Sequence, residues 1–537
     1  MSNFFYTKSL QDLLRHHDGS QLKRTLTALN LVALGVGAII GAGLFVRTAA
    51  ASAEAAGAAV SMSFIIAAVG CAFAGICYAE FAAMIPIAGS AYAYSYVTMG
   101  ELMAWIIGWA LIMEYALGAA TVAIAWSEYL NNLLGGVIPY EWCHSPFESM
   151  KRVIGQENID QVLSIHPSLA TQVKDGQLLL SNEIYEHLGE KVQGLVEVTR
   201  GFINAPALVI LFALTLLLIK GTQESAVVNA IIVFIKVAIV VLFIILGWQF
   251  INPENHTPYL IPANQPPVID ASGKVIADYS SVFKHGWGGV LGGAAIVFFA
   301  FIGFDAVSTA AQEAKNPKRD MPIGILGSLV VCTILYILFG HVLTGVANWK
   351  DFVDPLKGRE ASVAYAISTY MTGYGWLATA VTVAILAGFS SVILVMLMGQ
   401  SRVFYSMAND GLLPKIFSEL HPKFRTPYKS NWILFVFVGG FAAFVPGNVA
   451  GDLTSFGTLF AFVLVSIGIW ILRRKSPDME RPFKTPLVPL VPILGAVICL
   501  AMIFALDAQT LKVAFAWMAL GLVVYFVYSR RHSKLND

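Results

Sequence analysis

Twelve long apolar runs dominate the sequence, and each is long enough to cross a bilayer as an α-helix. The hydrocarbon core of a membrane is about 30 Å thick, and about 20 helical residues span it. Because only 12% of the residues are charged, the chain cannot cover a water-facing surface of ordinary composition. We therefore predict an all-α integral membrane protein with twelve transmembrane helices. They are predicted at residues 28–50, 58–84, 101–131, 203–220, 229–250, 288–311, 322–346, 375–399, 431–447, 452–472, 486–506 and 511–528.

The polar segments between these runs predict the orientation of the chain. Residues 1–27 contain no apolar signal-peptide core and are expected to form a cytoplasmic N-terminal segment. Residues 132–202 and 251–287 are rich in Pro, Asn, Asp and Gly and are expected to be external loops. The predicted inside segments hold 21 lysines and arginines, and the predicted outside segments hold 12. Five of those 12 lie in the long first external loop, and charges in long loops have little influence on orientation. We predict a plasma-membrane protein with both termini in the cytoplasm, the tail comprising residues 529–537.

The first predicted helix contains the stretch GVGAIIGAGLF, in which four of eleven residues are glycine. Glycine costs about 1 kcal/mol relative to alanine in a helix interior, so the stretch needs an explanation. Gly37 and Gly41 have the GxxxG spacing by which membrane helices pack closely together. Alternatively, the helix unwinds near Gly41 and Gly43, where free backbone N–H groups bind a carboxylate. In the second case, carbonyl groups of the preceding half-helix would bind an ammonium group.

The sixth predicted helix is also interrupted, by the stretch FAFIGFD at residues 299–305. Interrupted helices at corresponding places in two five-helix halves point to an inverted-repeat transporter. This match favours unwinding over close packing as the explanation of the glycines. We predict a first repeat at residues 28–250, a second at 288–472, and two appended helices at 473–528.

Three ionisable side chains inside the predicted helices are candidates for function, because a charge at the bilayer centre costs at least about 2.5–3.5 kcal/mol. Asp305 either supports the unwound segment or is a structural carboxylate bonded to nearby N–H groups. Glu114 is either a buried structural carboxylate or a member of a pocket wall or proton relay. Lys236 lies about seven residues from the predicted cytoplasmic end of its helix, so it could also snorkel to the interface.

Other chemistry has weaker support in the sequence. The hydroxyl groups of Ser390 and Ser391 either bond back to their own helix or line an ion site that faces the first helix. The net charge of +1 gives no basic face for nucleic acid, and the five cysteines have no zinc-ligand spacing. The sequence contains no P-loop. We expect no metal, no cofactor and no enzymatic activity.

Four stretches in order resemble the amino acid–polyamine–organocation transporters, and within them the cationic amino acid transporter-like branch with its bacterial members. The resemblance covers about residues 20–475 and rests on GVGAIIGAGLF, IPIAGSAYAYSYVTMGELMAWIIGW, FFAFIGFDAVSTAAQEAKNPKRDMP and QSRVFYSMANDGLLP. It implies the leucine-transporter-type fold, in which two inverted five-helix repeats with broken helices 1 and 6 operate by alternating access.

The resemblance also implies roles for individual residues. The substrate carboxylate would lie on the backbone of Gly41, Ala42 and Gly43, and many relatives have Ser or Thr where this chain has Ala42. The substrate ammonium would lie on the backbone carbonyl groups of Ile39, Phe299 and Ile302. Either Phe299 or Phe301 would be the gating aromatic residue.

Relatives that run on protons also place a lysine on helix five, as this chain does with Lys236. Its neighbours would be the carbonyl groups before Gly41 and the hydroxyl groups of Ser390 or Ser391. Desolvation favours the neutral amine, so the lysine could lose and regain a proton in each cycle.

We expect a secondary transporter that imports L-amino acids, neutral or cationic, by proton-coupled alternating access. An amino-acid exchanger is the alternative within this class. A membrane amino-acid sensor is the alternative from another class, and the short inside loops argue against it. The expected partners are the substrate, protons and the lipid bilayer, with no nucleic acid and no obligatory protein partner.

Overall fold

The computed structural model describes residues 26–41, 43–85, 90–165, 173–174, 177–180, 193–221, 225–269, 275–311, 314–353 and 362–534. Ala42, most of the predicted N-terminal segment and the last three residues of the predicted tail lie outside the described residues.

Helices make up most of the described chain, and their positions follow the apolar runs. Besides the single α-helical turn Thr48–Ala51, they are α1 (Ala28–Ile39), α2 (Val60–Met84), α3 (Ser90–Thr98), α4 (Glu101–Ile112), α5 (Gly118–Leu133), α6 (Gln156–Ile165), α7 (Ala205–Lys220), α8 (Ser225–Gly247), α9 (Gly286–Val297), α10 (Ala306–Thr309), α11 (Pro317–Val346), α12 (Ser362–Tyr370), α13 (Gly375–Asn409), α14 (Tyr428–Phe444), α15 (Gly447–Lys475), α16 (Leu490–Phe504), α17 (Ala508–Val524) and α18 (Arg530–His532). Several are longer than the apolar runs predicted, α13 by ten residues at its C-terminal end.

Eight helical stretches of the described chain are long and apolar enough to cross a membrane. Three further apolar helices, α1, α7 and α16, are shorter. The chain is thus a multi-pass membrane protein, whereas the count of twelve spans and the inverted repeat stay predictions.

The two predicted interruptions coincide with breaks in helical structure. After α1, a π-helical turn at Gly43–Arg47 leads through Thr48–Ala59 to α2. Gly57 has a φ of +60°, a left-handed conformation that favours glycine, and it turns the chain before α2. The sixth predicted helix is divided into α9, a 3₁₀ turn at Phe298–Phe301, and the single turn α10.

Part of the first long connection folds into a small domain of its own. Four short strands form an antiparallel sheet in the order β2-β3-β1-β4, with α6 packed on it. Its apolar core contains Val153, Ile159 and Leu178. The second long connection contains the hairpin β5–β6. The strands are β1 (Ser149–Ile154), β2 (Val173–Lys174), β3 (Gln177–Leu180), β4 (Glu197–Arg200), β5 (Val268–Ile269) and β6 (Val275–Ala277).

One continuous apolar core joins the long helices and surrounds both breaks. Helix α11 packs along α1 and α2, whereas α13 packs against α5 and α8. Helix α15 packs against α2 and against the short helix α3. The breaks are therefore enclosed by long, regular helices that hold them in place.

Candidate functional site

The first break begins where α1 stops at Ile39. Ile40 has a ψ of 104°, which takes the backbone out of helical geometry. Hydrogen bonding resumes beyond the break, where the N–H groups of Leu44 and Phe45 both donate to the Gly41 carbonyl oxygen, at 3.1 and 3.4 Å. Because the first N–H groups of a helix have no acceptor within it, the turn that starts at Gly43 presents backbone donors.

The second break is centred on Ile302 and Gly303. Ile302 has a ψ of 133°, and Gly303 has a φ of +116°, which a residue with a side chain adopts only with strain. The Phe299 carbonyl oxygen accepts a hydrogen bond of 3.3 Å from the Ile302 N–H. Helical hydrogen bonds then restart at Ala306.

The two breaks are in direct contact. A Cβ atom placed on Gly43 would lie 2.6 Å from the backbone nitrogen of Ala300. A Cβ atom on Gly303 would lie 3.0 Å from the carbonyl group of Ala38. Both glycines therefore allow the backbone of one broken helix to approach the backbone of the other. The structure thus brings together the segments in which we predicted a substrate site.

A tyrosine that the sequence analysis missed bridges the breaks. The Tyr336 hydroxyl on α11 lies 2.9 Å from the Ile39 carbonyl oxygen and 3.0 Å from the Ala300 carbonyl oxygen. A hydroxyl has one hydrogen to donate, so one of these oxygens is the better acceptor at any instant. The carbonyl of Ile39, predicted to bind the substrate ammonium, is therefore already paired with a neutral donor.

The two aromatic candidates for the gate occupy different surroundings. The Phe301 ring is fully buried and makes edge-to-face contacts with Phe64 at 6.3 Å and with Tyr336 at 5.3 Å between ring centroids. These contacts fix it in an aromatic cluster. Phe299 retains slight exposure and lies in the 3₁₀ turn beside the break.

Lys236 lies on α8 with only 1% of its surface exposed. Its Nζ atom donates a hydrogen bond of 2.7 Å to the carbonyl oxygen of Gly37, one turn before Gly41. Its methylene groups run past Gly388 of α13, where a Cβ atom would lie 2.7 Å from the lysine Cε. The side chain therefore bridges α8 and α1 inside the protein, and it does not snorkel to an interface.

The two serines of α13 differ in their bonding. The Ser390 hydroxyl donates to the Leu386 carbonyl oxygen at 2.9 Å, which is the back-bonding that serines commonly make in helices. Ser391 is buried on the neighbouring face of the helix. One turn beyond Gly388, Val392 contacts α1 at Gly41, so this face of α13 packs on the first break.

The two carboxyl groups predicted in the core lie together. Asp305 and Glu114 are both fully buried, and their carboxyl groups interact electrostatically. Tyr115 donates to the Asp305 Oδ2 at 2.5 Å. Both oxygens of Glu114 and the Asp305 Oδ1 are buried without a hydrogen-bond partner among the described residues. Two carboxyl groups in contact form a hydrogen bond only when one of them carries a proton.

A family model for amino acid permeases matches residues 26–528 of the chain. The chain belongs to this family. The permease family consists of membrane transporters, so the chain is a transporter and not an enzyme.

Curated relatives match the permease chain over its length. The branched-chain amino acid permease BcaP of Bacillus subtilis is 39% identical over 534 residues, which cover 99% of each chain. The methylthioribose transporter of the same organism is 36% identical and is covered in full. The vacuolar cationic amino acid transporter 4 of Arabidopsis thaliana is 31% identical over 87% of this permease and 66% of the relative.

Two charged contacts in the permease were not anticipated from the sequence. Arg47, just after the first break, forms an ion pair with Asp452 near the start of α15. At the other end of α15, Arg473 binds both oxygens of the buried Glu80 on α2, each at 2.9 Å. Charges at the ends of apolar runs were a usable signal for both contacts, but nothing in the sequence indicated which charges pair.

Proposed function

We propose that the chain is a secondary active transporter that imports L-amino acids together with protons by alternating access. The observation that carries this proposal is the hydrogen bond from the buried Lys236 ammonium to the Gly37 carbonyl oxygen beside the first break. A charged lysine ties α8 to α1 through a charge-assisted hydrogen bond, and a neutral amine holds the same acceptor more weakly. Loss and gain of one proton would therefore change how firmly the broken helix is held.

The proposed substrate site lies where the two breaks meet. The backbone N–H groups from Gly41 to Gly43 would bind the substrate carboxylate, because they begin a helical turn and carry partial positive charge. The carbonyl groups of Ile39, Phe299 and Ile302 would bind the ammonium. At Ile39 the substrate ammonium would compete with the Tyr336 hydroxyl for the carbonyl oxygen. The charged ammonium forms the stronger hydrogen bond, because the hydroxyl is a neutral donor.

We propose that neutral amino acids are the principal substrates. Side chains near the breaks are apolar, including Phe299, Val392 and Ala300. The carboxyl group of Asp305 accepts a hydrogen bond from the Tyr115 hydroxyl and is fully buried, as is Glu114, so we place neither beside the substrate side chain. Branched-chain aliphatic amino acids fit these surroundings, as the name of the Bacillus subtilis relative BcaP also suggests.

Glu114 and Asp305 are proposed to assist coupling in different ways. Their contact can hold one proton between the two carboxyl groups, which makes Glu114 a second candidate for proton coupling. Asp305 also accepts from Tyr115 and lies immediately before α10, so it supports the unwound segment of the second break. We expect Ser390 and Ser391 to shape the part of α13 that packs beside Lys236, and we do not expect them to carry protons.

Uptake of labelled leucine into proteoliposomes tests this proposal. We expect accumulation when an inward proton gradient is imposed and none when a sodium gradient replaces it. Uptake that requires amino acid preloaded inside the vesicles would show an exchanger instead of a symporter. The orientation predicted from the lysine and arginine count is tested by protease accessibility of the two termini.

Competition with unlabelled compounds then defines the substrate class. We expect isoleucine and valine to inhibit labelled leucine uptake, whereas arginine inhibits weakly. Methylthioribose is included because a relative that is 36% identical is named for its transport. Inhibition by arginine equal to that by isoleucine would contradict the preference for neutral substrates.

A further inference from the structure

A glycine in the middle of α13 lies directly against the lysine that we propose to couple proton movement to transport. Gly388 is buried within a helix of 35 residues. Glycine in a helix interior costs about 1 kcal/mol relative to alanine, so its presence in such a regular helix calls for a reason.

The atoms around Gly388 distinguish it from the glycines at the breaks. A Cβ atom on Gly43 or on Gly303 would meet the backbone of the partner helix. The three atoms nearest to a Cβ atom on Gly388 are instead Cε, Cδ and Cγ of Lys236, at 2.7, 3.4 and 3.4 Å. The missing side chain therefore makes room for a lysine stem and not for a neighbouring helix.

Lys236 has little freedom to move away from an added methyl group. Its stem is buried, and its Nζ atom is already bonded to the Gly37 carbonyl oxygen at 2.7 Å. The neutral thiol of Cys332 on α11 faces Lys236 in this slot and is fully buried. A shift of the Cε atom by a few tenths of an ångström therefore displaces the ammonium from its acceptor.

The positions of the neighbouring residues along the first broken helix and along α13 are consistent with a slot for the lysine side chain. Gly37 lies in the last turn of α1 and Gly41 lies in the break that follows, whereas Gly388 and Val392 are one turn apart on α13. Val392 packs against Gly41 at the break itself, and Lys236 fills the gap one turn away between Gly37 and Gly388. The lysine thus occupies a slot whose width is determined by the absent side chain at position 388.

We propose that Gly388 is a positioning residue that keeps the Lys236 ammonium within reach of the Gly37 carbonyl, so that proton coupling depends on it. This inference rests on the proposed role of Lys236. It predicts that the effect of a substitution at 388 depends on whether a lysine is present at 236.

A double-mutant cycle tests the positioning role. Thermal unfolding in detergent is measured for the parent, Gly388→Ala, Lys236→Ala and the double variant. We expect Gly388→Ala to lower the unfolding midpoint in the parent and to raise it slightly in the Lys236→Ala background, where the slot is empty and alanine is the better helix former. The control is Gly440→Ala on α14, because a Cβ atom there has nothing within 4 Å. An equal loss at 388 in both backgrounds, or no loss in either, would overturn the positioning role.

Transport supplies a readout that packing alone would not change. We expect Gly388→Ala to reduce accumulation driven by a proton gradient about tenfold, the factor that corresponds to loss of a hydrogen bond to a charged group. Leucine should still raise the unfolding midpoint of the variant, which shows that it remains folded and binds. Undiminished accumulation by Gly388→Ala would overturn the inference. Undiminished accumulation by Lys236→Ala would instead overturn the coupling role of the lysine, and both failures are visible in the same set of variants.

Discussion

Both ends of α15 are tied to the first half of the chain by an arginine and a carboxylate, yet the two contacts differ in depth. At one end the pair Arg47–Asp452 has side chains that are 13% and 29% exposed, and the Arg47 Nε atom has no partner among the described residues. At the other end Glu80 is fully buried, and it accepts from Arg473 and from the Thr485 N–H at 2.7 Å. Asp452 and Arg473 are 21 positions apart, which corresponds to about 30 Å of helix, the thickness of a bilayer core.

This difference indicates which contact can open. Asp452 is partly exposed, so water can solvate its carboxylate when the pair separates, and the separation costs less than at the fully buried end. Separation of Glu80 from its arginines would leave a charge buried without partners, which is far more expensive. We infer that the predicted external end of α15 can move during transport, whereas the predicted cytoplasmic end is a fixed joint. Opening toward the cytoplasm would then occur at α1, where Lys236 holds the broken helix.

The largest effect is expected at the fixed joint. Glu80→Gln removes a buried charge that faces Arg473 and also Arg481, whose Nε atom lies 3.2 Å away. Loss of one partner from a buried ion pair costs about 3–5 kcal/mol, so we expect a lower unfolding midpoint and poor recovery from the membrane. Thermal unfolding in detergent measures this.

The matched control for this variant is Glu480→Gln, in the connection that follows α15. Glu480 pairs with Lys318 at 3.3 Å, but both side chains are mostly exposed, so its loss should leave the unfolding midpoint unchanged. Similar midpoints for the Glu80 and Glu480 variants would show that the joint is not fixed.

An intermediate effect, on transport and not on stability, is expected at the other end. Asp452→Asn should change the free energy of unfolding by less than about 1 kcal/mol, the range of partly exposed ion pairs. Because the pair bridges the helical turn after the first break to α15, its loss should alter the KM for external leucine severalfold. Initial rates of uptake measure it. A large loss of stability with an unchanged KM would contradict the inference that the Arg47–Asp452 end of α15 moves during transport.

The smallest effect is expected at a histidine near the same end as Arg47. Burial and the nearby His341, 4.7 Å away between ring centroids, lower the pKa of His256. The neutral ring therefore contributes stability that is present above the unfolded pKa of about 6.5 and is lost as the pH falls through the lowered value. We expect the unfolding midpoint to decline slightly below about pH 6.5, and His256→Gln should reduce that decline. A decline of the same size in the variant would contradict the assignment.

The fold was largely predictable because membrane helices leave a strong local signal. Long apolar runs give the helices, and the stretches around Gly41 and Gly303 mark where helical structure stops. The apolar runs and the interrupted stretches can both be recognised from the composition of a few neighbouring residues. The residues predicted for the substrate and for coupling do lie around these breaks, apart from Ala42, which is not among the described residues, but their roles stay predictions.

Contacts between distant residues were not predictable in this way. Tyr336 sits in an ordinary apolar run, and only the packing of α11 on α1 brings its hydroxyl to both breaks. The pairing of Glu80 with Arg473 joins residues almost 400 positions apart, and many other charges were possible partners. The same holds for Gly43, whose closest neighbour is the backbone of Ala300. A bulky substitution there would separate the breaks even without substrate, so it cannot test ligand binding.

The most direct test of the account compares the parent and Lys236→Ala in proteoliposomes under an inward proton gradient. Leucine-induced thermal stabilisation of each purified protein first shows that it is folded and binds substrate. The account predicts accumulation of leucine by the parent and none by the variant, because the variant lacks the ammonium that holds α1 through Gly37. Equal accumulation by the two proteins, or accumulation driven by sodium instead of protons, would contradict it.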